Sequence, residues 1–200
     1  MRGFMADHYF TQSPQSAHED RHFTFEFAGK TLRFQTDAGV FSKQHVDPGS
    51  ELLCRCLPED LSGDVLDMGC GWGAMTAMTL AAHPSVRMTM ADVNERALEL
   101  AKANLALNGM AAAAVLSDGF SEIGGRFDAV ITNPPIRAGK QVVYGIFEGA
   151  KEHLRAGGAL YTVVRKQQGA PSALAFLKGL YREAEVIEKD GGYWILRAKV

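Results

Sequence analysis

The stretch FDAVITNPPIRAGK, residues 127–140, ends an apolar run with an asparagine and two prolines. The apolar run over 127–132 is typical of a buried strand. Pro134 and Pro135 have no backbone N–H, so they donate no hydrogen bond to a sheet or a helix. Pro134 also restricts Asn133 to an extended conformation, because its ring collides with a helical residue before it. The sequence therefore predicts a short rigid loop that presents mainly hydrogen-bond acceptors at the end of a strand.

A glycine-rich turn lies upstream, in DVLDMGCGWG. Residues 64–68 are predicted to be a short buried strand, and Gly69, Gly71 and Gly73 follow where this strand turns into a helix. Glycines in this place accept positive φ and let a ligand approach the backbone closely. The helix behind them points free N–H groups toward the same place. By itself, such a turn is equally compatible with a tight connection that binds nothing.

Three aspartates lie at or just after the carboxyl ends of successive predicted strands, namely Asp67, Asp92 and Asp118. These strand ends share one edge of a parallel sheet, where open α/β sheets bind their ligands. Asp92 is placed to accept both hydroxyls of a ribose, and Asp118 to meet an adenine amino group. Singly, Asp92 or Asn94 could instead cap the next helix, and Asp118 could be a turn residue before Gly119. No G-x-x-x-x-G-K-[ST] occurs, which argues against a nucleoside triphosphate.

The elements that must position these residues alternate between strand and helix. The predicted strands are 64–68, 86–91, 113–117, 127–132, 157–164, 184–189 and 193–198, and the predicted helices are 73–82, 94–107, 140–154 and 171–181. Such alternation predicts a mainly parallel sheet with helices on both faces. Only 189–192 join the last two strands, which is too short for a crossover, so this pair must be antiparallel. We expect an α/β, Rossmann-like sheet of seven strands, mostly parallel with one antiparallel strand near its end.

An N-terminal hairpin and helix are predicted before this core. HFTFEF and TLRFQT alternate apolar and polar residues around 28–30, which predicts a β-hairpin. SKQHVDPGSELL predicts a helix that begins after Asp47 with Pro48 in its first turn. The expected organisation is a flexible segment, 1–20, and one domain, 21–200, made of this hairpin and helix, 21–60, and a cofactor-binding core, 61–200.

The composition restricts the possible classes. Hydrophobic residues make up 46% and charged residues 22%, as in an ordinary globular protein. The net charge is −2, so a nucleic-acid-binding surface could only be a local patch. Cys54, Cys56 and Cys70 form neither a disulfide framework nor a zinc site, which is typical of a reducing cytosol. Since no leader and no membrane-length apolar run is found, we predict a cytoplasmic protein. We also predict that it uses no metal, because the cysteines do not form a metal site.

A family resemblance is carried by motifs in a fixed order and spacing, VLDMGCGWG, Asp92, SDGF and NPPI. They resemble the motifs of class I S-adenosylmethionine-dependent methyltransferases. A closer resemblance is to the small methyltransferase domain of RsmC-like ribosomal RNA guanine-N2 methyltransferases. It covers roughly residues 20–200, and the segments that carry it are GVFSKQHVDPGSELL, NPPIRAGK, RKQQGAPSAL and GGYWILRA. The resemblance implies that Asp67 and the glycines line the methionine end of the cofactor, Asp92 binds its ribose and Asp118 its adenine amine. The implied cofactor-binding set is Asp67, Gly69, Cys70, Gly71, Gly73, Asp92, Val93, Asp118, Gly119 and Asn133.

The resemblance also gives the loop after residue 132 a chemical role, because this loop would face the methyl donor. An exocyclic amine on a nucleic-acid base is a poor nucleophile, since its lone pair is delocalised into the ring of the base. The Asn133 side-chain oxygen and the Pro134 carbonyl can accept its two N–H bonds, which holds the nitrogen near tetrahedral geometry and aims its lone pair at the methyl group. No titrating base is required. The predicted catalytic residues are Asn133, Pro134, Pro135 and Ile136.

Substrate contacts are expected from cations and one aromatic residue. Many amine methyltransferases of this type carry Tyr or Phe in place of Ile136, and that ring stacks on the target base. Phe41 or Tyr144 could supply the missing ring, or both could be core residues. Each cation alone is typical of a solvated surface, but several at one edge of the sheet favour contacts with phosphate groups. The predicted substrate-binding residues are Phe41, Lys43, Arg137, Lys140, Arg165 and Lys166.

Four functions are compatible with these motifs. The favoured one is methyl transfer from S-adenosylmethionine, leaving S-adenosylhomocysteine, to N2 of a guanine in ribosomal RNA, with the small ribosomal subunit as the expected partner and a monomer or homodimer as the expected state. The second is a protein glutamine N-methyltransferase of the release-factor type, which uses a related N-P-P-Y loop. The third is a non-catalytic RNA-binding module, which predicts erosion of the glycine turn or the N-P-P triplet, and neither is eroded. The fourth is a small-molecule methyltransferase, which usually has a capping insertion for which this chain has little room.

Overall fold

A computed structural model describes residues 21–36 and 45–200. The predictions for residues 1–20, Phe41 and Lys43 therefore lie outside the described residues. The N-terminal part contains β1 (Arg21–Phe27), β2 (Lys30–Thr36) and α1 (Pro48–Arg55). The core contains β3 (Asp64–Met68), α2 (Ala74–Ala82), β4 (Arg87–Asp92), α3 (Glu95–Leu107), β5 (Ala113–Leu116), β6 (Phe127–Thr132), α4 (Lys140–His153), β7 (Leu154–Arg165), α5 (Ala170–Leu180), β8 (Glu183–Asp190) and β9 (Tyr193–Lys199).

The predicted seven-stranded sheet is confirmed, with the order β5-β4-β3-β6-β7-β9-β8. Strand β9 pairs antiparallel with both β7 and β8, and the remaining pairs are parallel. Strand order runs outward in one direction from β3 through β4 to β5, then reverses to β6. At such a reversal the loops leaving the two central strands separate and form a crevice. The glycine turn after β3 and the N-P-P loop after β6 therefore lie side by side at one edge of the sheet, called the rim below.

Two local features differ from the sequence prediction. Strand β7 begins at Leu154 rather than at residue 157, and its register with β6 shifts between Phe127 and Ala129. Position 158 of this strand requires glycine, because a Cβ there would lie 2.9 Å from the Asp128 carbonyl oxygen. Short 3-10 turns, which were not predicted, follow β6 at Ile136–Ala138 and β7 at Lys166–Gln168.

The sheet is covered on both faces, which explains the nearly continuous apolar sequence of its central strand. Val65 of β3 packs in one apolar cluster, and Leu66 and Met68 pack in the other. A strand buried on both faces loses the alternation of a half-exposed strand. Asp67 is the polar exception, and it is fully buried. None of the helices in the described ranges has the length and apolarity to cross a bilayer.

The hairpin docks on α3 through two asparagine side chains. Asn104 donates to the Gln35 carbonyl at 2.9 Å and accepts from the Gln35 N–H at 2.8 Å. Asn108 makes the same pair of bonds with Arg33, both at 2.8 Å. Alternate residues of a strand direct their backbone groups to the same side, so the two amides pair with β2 as a neighbouring strand would. Asn104 also donates to the Trp72 carbonyl at 2.9 Å, which joins the hairpin to the glycine turn.

Aromatic packing strengthens this connection. Trp72 stands between Gly71 and Gly73 in the chain, and its ring contacts Phe34 and Phe23 of the hairpin edge-on, with ring centroids 4.9 and 5.9 Å apart. Edge-to-face pairs at such distances are favourable beyond the area that they bury. The hairpin therefore supports the glycine turn from behind.

We expect Asn104→Ala to lower the free energy of unfolding by about 2–4 kcal/mol, since it leaves the partly buried N–H and carbonyl of Gln35 and the buried carbonyl of Trp72 without their partner. Asn108→Ala is the matched control, because it removes the equivalent amide from the exposed end of the same interface. That variant is expected to lose about 1 kcal/mol or less. Urea unfolding at pH 7 measures both, and equal losses would contradict the role given to Asn104.

Candidate functional site

The glycine turn after β3 is open toward the rim. The N–H groups of Gly69 and Cys70 donate to the Ala91 carbonyl at 2.8 and 3.0 Å, which fixes the turn against β4. Gly69 has φ +75°, and nothing lies within 4 Å of the position that a Cβ would take. A ligand can therefore approach this backbone closely. Cys70 is buried, and burial raises the pKa of its thiol well above the ordinary value.

Asp92 joins the glycine turn to the start of α3. Its Oδ2 accepts from the Gly71 N–H at 2.8 Å, and its Oδ1 accepts from the Asn94 N–H at 2.9 Å. Asn94 is the N-cap of α3, because its Oδ1 accepts from the Ala97 N–H at 3.2 Å. Of the two roles compatible with the sequence, capping thus belongs to Asn94. A carboxylate oxygen can accept more than one bond, so Asp92 can hold two loops and still accept ligand hydroxyls.

Asp67 lies below the turn and is 0% exposed. Its Oδ2 accepts from the Thr76 hydroxyl at 2.7 Å, and its buried Oδ1 has no partner among the described residues. Burial raises the pKa of this carboxyl to about 7; the Thr76 hydrogen bond lowers it, and the nearby Asp92 raises it. Near neutral pH, the folded protein therefore contains both the protonated and the ionised form of Asp67, with Asp92 as the neighbouring carboxyl group.

We expect the stability of the cofactor-free protein to fall between about pH 4 and 7 because of Asp67. The unfolded chain releases this proton near the ordinary carboxyl pKa of 3.8, and the folded chain releases it near pH 7. Over this window the folded protein binds more protons, so it loses stability as pH rises, by on the order of 4 kcal/mol. Asp67→Asn should remove this loss. Urea unfolding at pH 4 and pH 8 measures the free energy of unfolding of both proteins, and the contributions of other titrating groups cancel when the two are subtracted. An equal change with pH in both proteins would show that Asp67 is ionised throughout this range.

Asp118 and Gly119 follow β5 at the same rim. Ser117, which the sequence reasoning missed, organises this turn: its N–H donates to the Asp92 carbonyl at 3.0 Å, and its hydroxyl donates to the Gly119 carbonyl at 2.8 Å. Asp118 is exposed, and Val93 is half-buried beside Asp92. The three strand ends named in the sequence analysis are thus brought together, with acceptors on each.

The N-P-P loop presents two acceptors that receive no hydrogen bond from the described part of the chain. The Thr132 hydroxyl donates to the Met68 carbonyl at 2.8 Å, which ties the ends of β6 and β3 together. The Asn133 Nδ2 donates to Asp47 Oδ2 at 3.0 Å and to Ser50 Oγ at 2.9 Å. Within residues 21–36 and 45–200, no group donates to Asn133 Oδ1 or to the carbonyl of the buried Pro134.

Asp47 and Ser50 are site residues that the sequence reasoning missed. Asp47 was assigned only to the start of α1, where its carboxylate does cap the helix by accepting from the Ser50 N–H at 2.9 Å. The available signal was D-P-G-S itself, two side-chain acceptors separated by one helical turn in a stretch that carries the family resemblance. What no local pattern indicated was that the same two side chains reach across the chain to Asn133.

The predicted substrate-binding cations within the described residues lie at the rim, on the short turns after β6 and β7 or at the adjoining ends of β7 and α4. Arg137 and Lys140 are exposed after the N-P-P loop, and Lys166 is exposed after β7. Arg165 is held by the Tyr193 ring, with its guanidinium carbon 4.5 Å from the ring centroid and a hydrogen bond to the hydroxyl. The carboxyl ends of β6 and β7 are adjacent in the sheet, so these cations border one surface.

Ile136 and Tyr144 line a small cavity between α4 and α5. Its volume is about 30 Å³, which suits one water molecule and not a purine. The Tyr144 ring is stacked on Phe176, with centroids 4.0 Å apart. One face of Tyr144 is therefore engaged in packing between the two helices.

A Rossmann-like sheet with a glycine turn, a carboxylate on each neighbouring strand end and an N-P-P loop defines a class I methyltransferase. The Bacillus subtilis protein YbxB, described as uncharacterized, is 41% identical over 98% of this chain and 99% of its own length. Ribosomal RNA small subunit methyltransferase C of Klebsiella pneumoniae is 37% identical over 88% of this chain, which spans 52% of that protein. The T. thermophilus 16S rRNA N2 methyltransferase RsmC, solved with AdoMet and guanosine, superposes with a TM-score of 0.80 at 27% identity over 94% of this chain and 52% of its own.

Residues 31–197 match the methyltransferase small domain model, and the chain belongs to that family. This confirms the class that the sequence predicted, an S-adenosylmethionine-dependent methyltransferase. The chain spans about half the length of the ribosomal RNA methyltransferase C relatives that it matches.

The residues at the rim fit S-adenosylmethionine. Asp92 and Asp118 are acceptors for hydroxyl and amino groups, which a ribose and an adenine supply. Gly69 leaves its backbone open, and Asp67 Oδ1 is a buried acceptor without a partner among the described residues. The hydrogen-bonding groups of the site therefore match a ligand that carries an uncharged sugar and an amino group.

Proposed function

We propose that this protein transfers a methyl group from S-adenosylmethionine to N2 of a guanine in ribosomal RNA, with the small subunit as the favoured substrate and the cytoplasm as its location. The observation that carries the proposal is the orientation of Asn133. Its amide hydrogens are taken by Asp47 and Ser50, so its oxygen and the Pro134 carbonyl are two acceptors for one N–H₂ group. The names of the RNA-modifying relatives support ribosomal RNA as the target.

The chain contributes orientation and electrostatics. Asn133 Oδ1 and the Pro134 carbonyl accept the two N–H bonds of the amine, and the lone pair is left directed toward the cofactor side of the rim. Both oxygens also carry partial negative charge next to a nitrogen that becomes positive as it is alkylated. S-adenosylmethionine supplies the methyl group when bound. The surplus proton then passes from the nitrogen to water, since residues 133–135 carry no side chain that could accept it.

In this proposal the rim cations hold the RNA backbone. We expect Arg137→Gln combined with Lys140→Gln to raise the KM for RNA about tenfold at moderate salt and to flatten the salt dependence of binding, because two phosphate contacts are lost. Lys178→Gln combined with Arg182→Gln is the matched control. It removes the same charge near the other end of α5, away from the rim. If both pairs weaken RNA binding equally, attraction by overall charge explains the effect and the rim role fails.

The function is tested by offering labelled S-adenosylmethionine to naked ribosomal RNA, small ribosomal subunits and a release factor in parallel. N2-methylguanosine in digested RNA is the expected product, and the better substrate shows whether the RNA must be assembled. Label in the release factor would instead establish a glutamine methyltransferase. Cofactor binding without label in any of the three would overturn the proposal.

A further inference from the structure

We infer that Asp47 and Ser50 of helix α1 are positioning residues for the methyl-transfer step. This inference rests on the proposed function and extends it to residues that precede the cofactor-binding core. Two hydrogen bonds join α1 to the end of β6, from Asn133 Nδ2 to Asp47 Oδ2 at 3.0 Å and to Ser50 Oγ at 2.9 Å. They consume both hydrogens of the amide.

These bonds determine which atom of Asn133 faces the rim. A carboxylate has no hydrogen to donate, so Asp47 can only pair with the N–H₂ side of the amide. The flipped amide would place two acceptor oxygens against each other and would lose one of the two bonds. Helix α1 therefore keeps Asn133 Oδ1 directed away from itself, where an amine can reach it.

The platform under Asn133 is rigid. Asp47 Oδ2 also accepts from the Ser50 N–H at 2.9 Å, so a single oxygen is both the cap of α1 and the anchor of the amide. A Cβ on Gly49 would lie 2.7 Å from the Tyr193 ring, so α1 begins in direct contact with β9. Ser50 is only 7% exposed. The start of α1 has no room to move without breaking these contacts.

Charge adds to geometry. Asp47 lies at a helix N-terminus, which favours a carboxylate. A negative charge that accepts from the amide N–H₂ polarises the amide and increases the negative partial charge on its oxygen. The oxygen that meets the developing ammonium is thus a better acceptor than that of an isolated asparagine.

Three substitutions separate this role from the folding of α1. Ser50→Ala removes one acceptor but keeps the backbone N–H that Asp47 caps. Asp47→Ser keeps a capping side chain that is too short to hold Asn133, whereas Asp47→Asn keeps an oxygen that can serve both donors. Glu51→Gln is the control, since its side chain pairs with Arg55 and not with Asn133.

The experiment measures kcat with ribosomal RNA, cofactor affinity by calorimetry and urea stability for each variant. We expect kcat to fall about fivefold in Ser50→Ala and about thirtyfold in Asp47→Ser, to recover to within about threefold in Asp47→Asn, and to stay unchanged in Glu51→Gln. Cofactor affinity should be the same in all. In an Asn133→Ala background, Ser50→Ala and Asp47→Ser should cause no further loss in single-turnover rate, because their effect passes through that amide.

A second readout needs no activity. The two Nδ2 protons of Asn133 should be shifted and protected from exchange in the nitrogen-15 spectrum of the wild type, and this protection should be lost in Asp47→Ser. Full kcat in Asp47→Ser and Ser50→Ala, or losses that multiply with Asn133→Ala, would overturn the positioning role while the wild type remains active. A wild type with protected amide protons that methylates no RNA would overturn the proposed function, and with it the catalytic meaning of the network, but not the network itself.

Discussion

Asn133→Ala is expected to lower kcat by about 10²–10³ and to leave cofactor affinity within about twofold, because in the proposed function it removes an acceptor for the reacting amine. The other acceptor, the Pro134 carbonyl, remains but can no longer orient both N–H bonds. Single-turnover transfer of labelled methyl to RNA measures the loss, and calorimetry measures the affinity. The fold should survive, since Asn133 is half-buried at the end of β6.

The control for this result is Val142→Ala. It removes an exposed apolar side chain from α4 just beyond the loop and leaves both acceptors in place, so kcat should change less than about threefold. Substantial methylation by Asn133→Ala would mean that another group orients the amine. A parallel loss of cofactor binding would mean that Asn133 acts mainly on the donor side of the rim.

Asp92→Ala is expected to weaken cofactor binding by at least about 100-fold without unfolding the protein. The carboxylate does two things at once. It holds the N–H groups of Gly71 and Asn94 at 2.8 and 2.9 Å, and in the proposed function it also accepts hydrogen bonds from the ribose hydroxyls of the cofactor. Truncation removes the ligand contacts and leaves both N–H groups without that partner. Calorimetric titration with S-adenosylhomocysteine measures the change.

Comparison with Asp118→Ala separates ligand contact from loop support. Asp118 is exposed and lies at the next strand end, so its loss should cost about tenfold in affinity and little stability. Asp92→Ala should also lower the free energy of unfolding, by about 1–3 kcal/mol, because its Gly71 and Asn94 bonds are buried. An unchanged affinity in Asp92→Ala would refute the ribose role, whatever the effect on stability.

Several features follow from local sequence alone. The glycine turn, the strand ends and the N-P-P loop are recognisable because each depends on a backbone property of its own residues, as with Gly69, which adopts positive φ, and Pro134, which has no N–H. The antiparallel strand β9 follows from the shortness of the link 191–192 between β8 and β9. Alternation of strands and helices then predicts which ends meet at the rim.

Other features depend on contacts between residues that are distant in the chain. Asn104 pairs with Gln35 and Trp72, and a helical asparagine gives no local sign of such partners. The pKa of Asp67 depends on burial that only the packed sheet creates. The stacking of Tyr144 on Phe176 is likewise set by how α4 and α5 pack.

The sequence by itself determined the class of this protein and the presence of a rigid N-P-P loop at the end of a strand, since these depend on the order of short motifs and on the stereochemistry of glycine and proline. The tertiary structure decided how the loop is aimed. Asp47 and Asn133 are separated by 86 positions, and only folding brings them within 3.0 Å. A hydrogen bond requires a distance and a direction that spacing along the chain does not encode, which is why the orientation of Asn133 became visible only in the folded molecule.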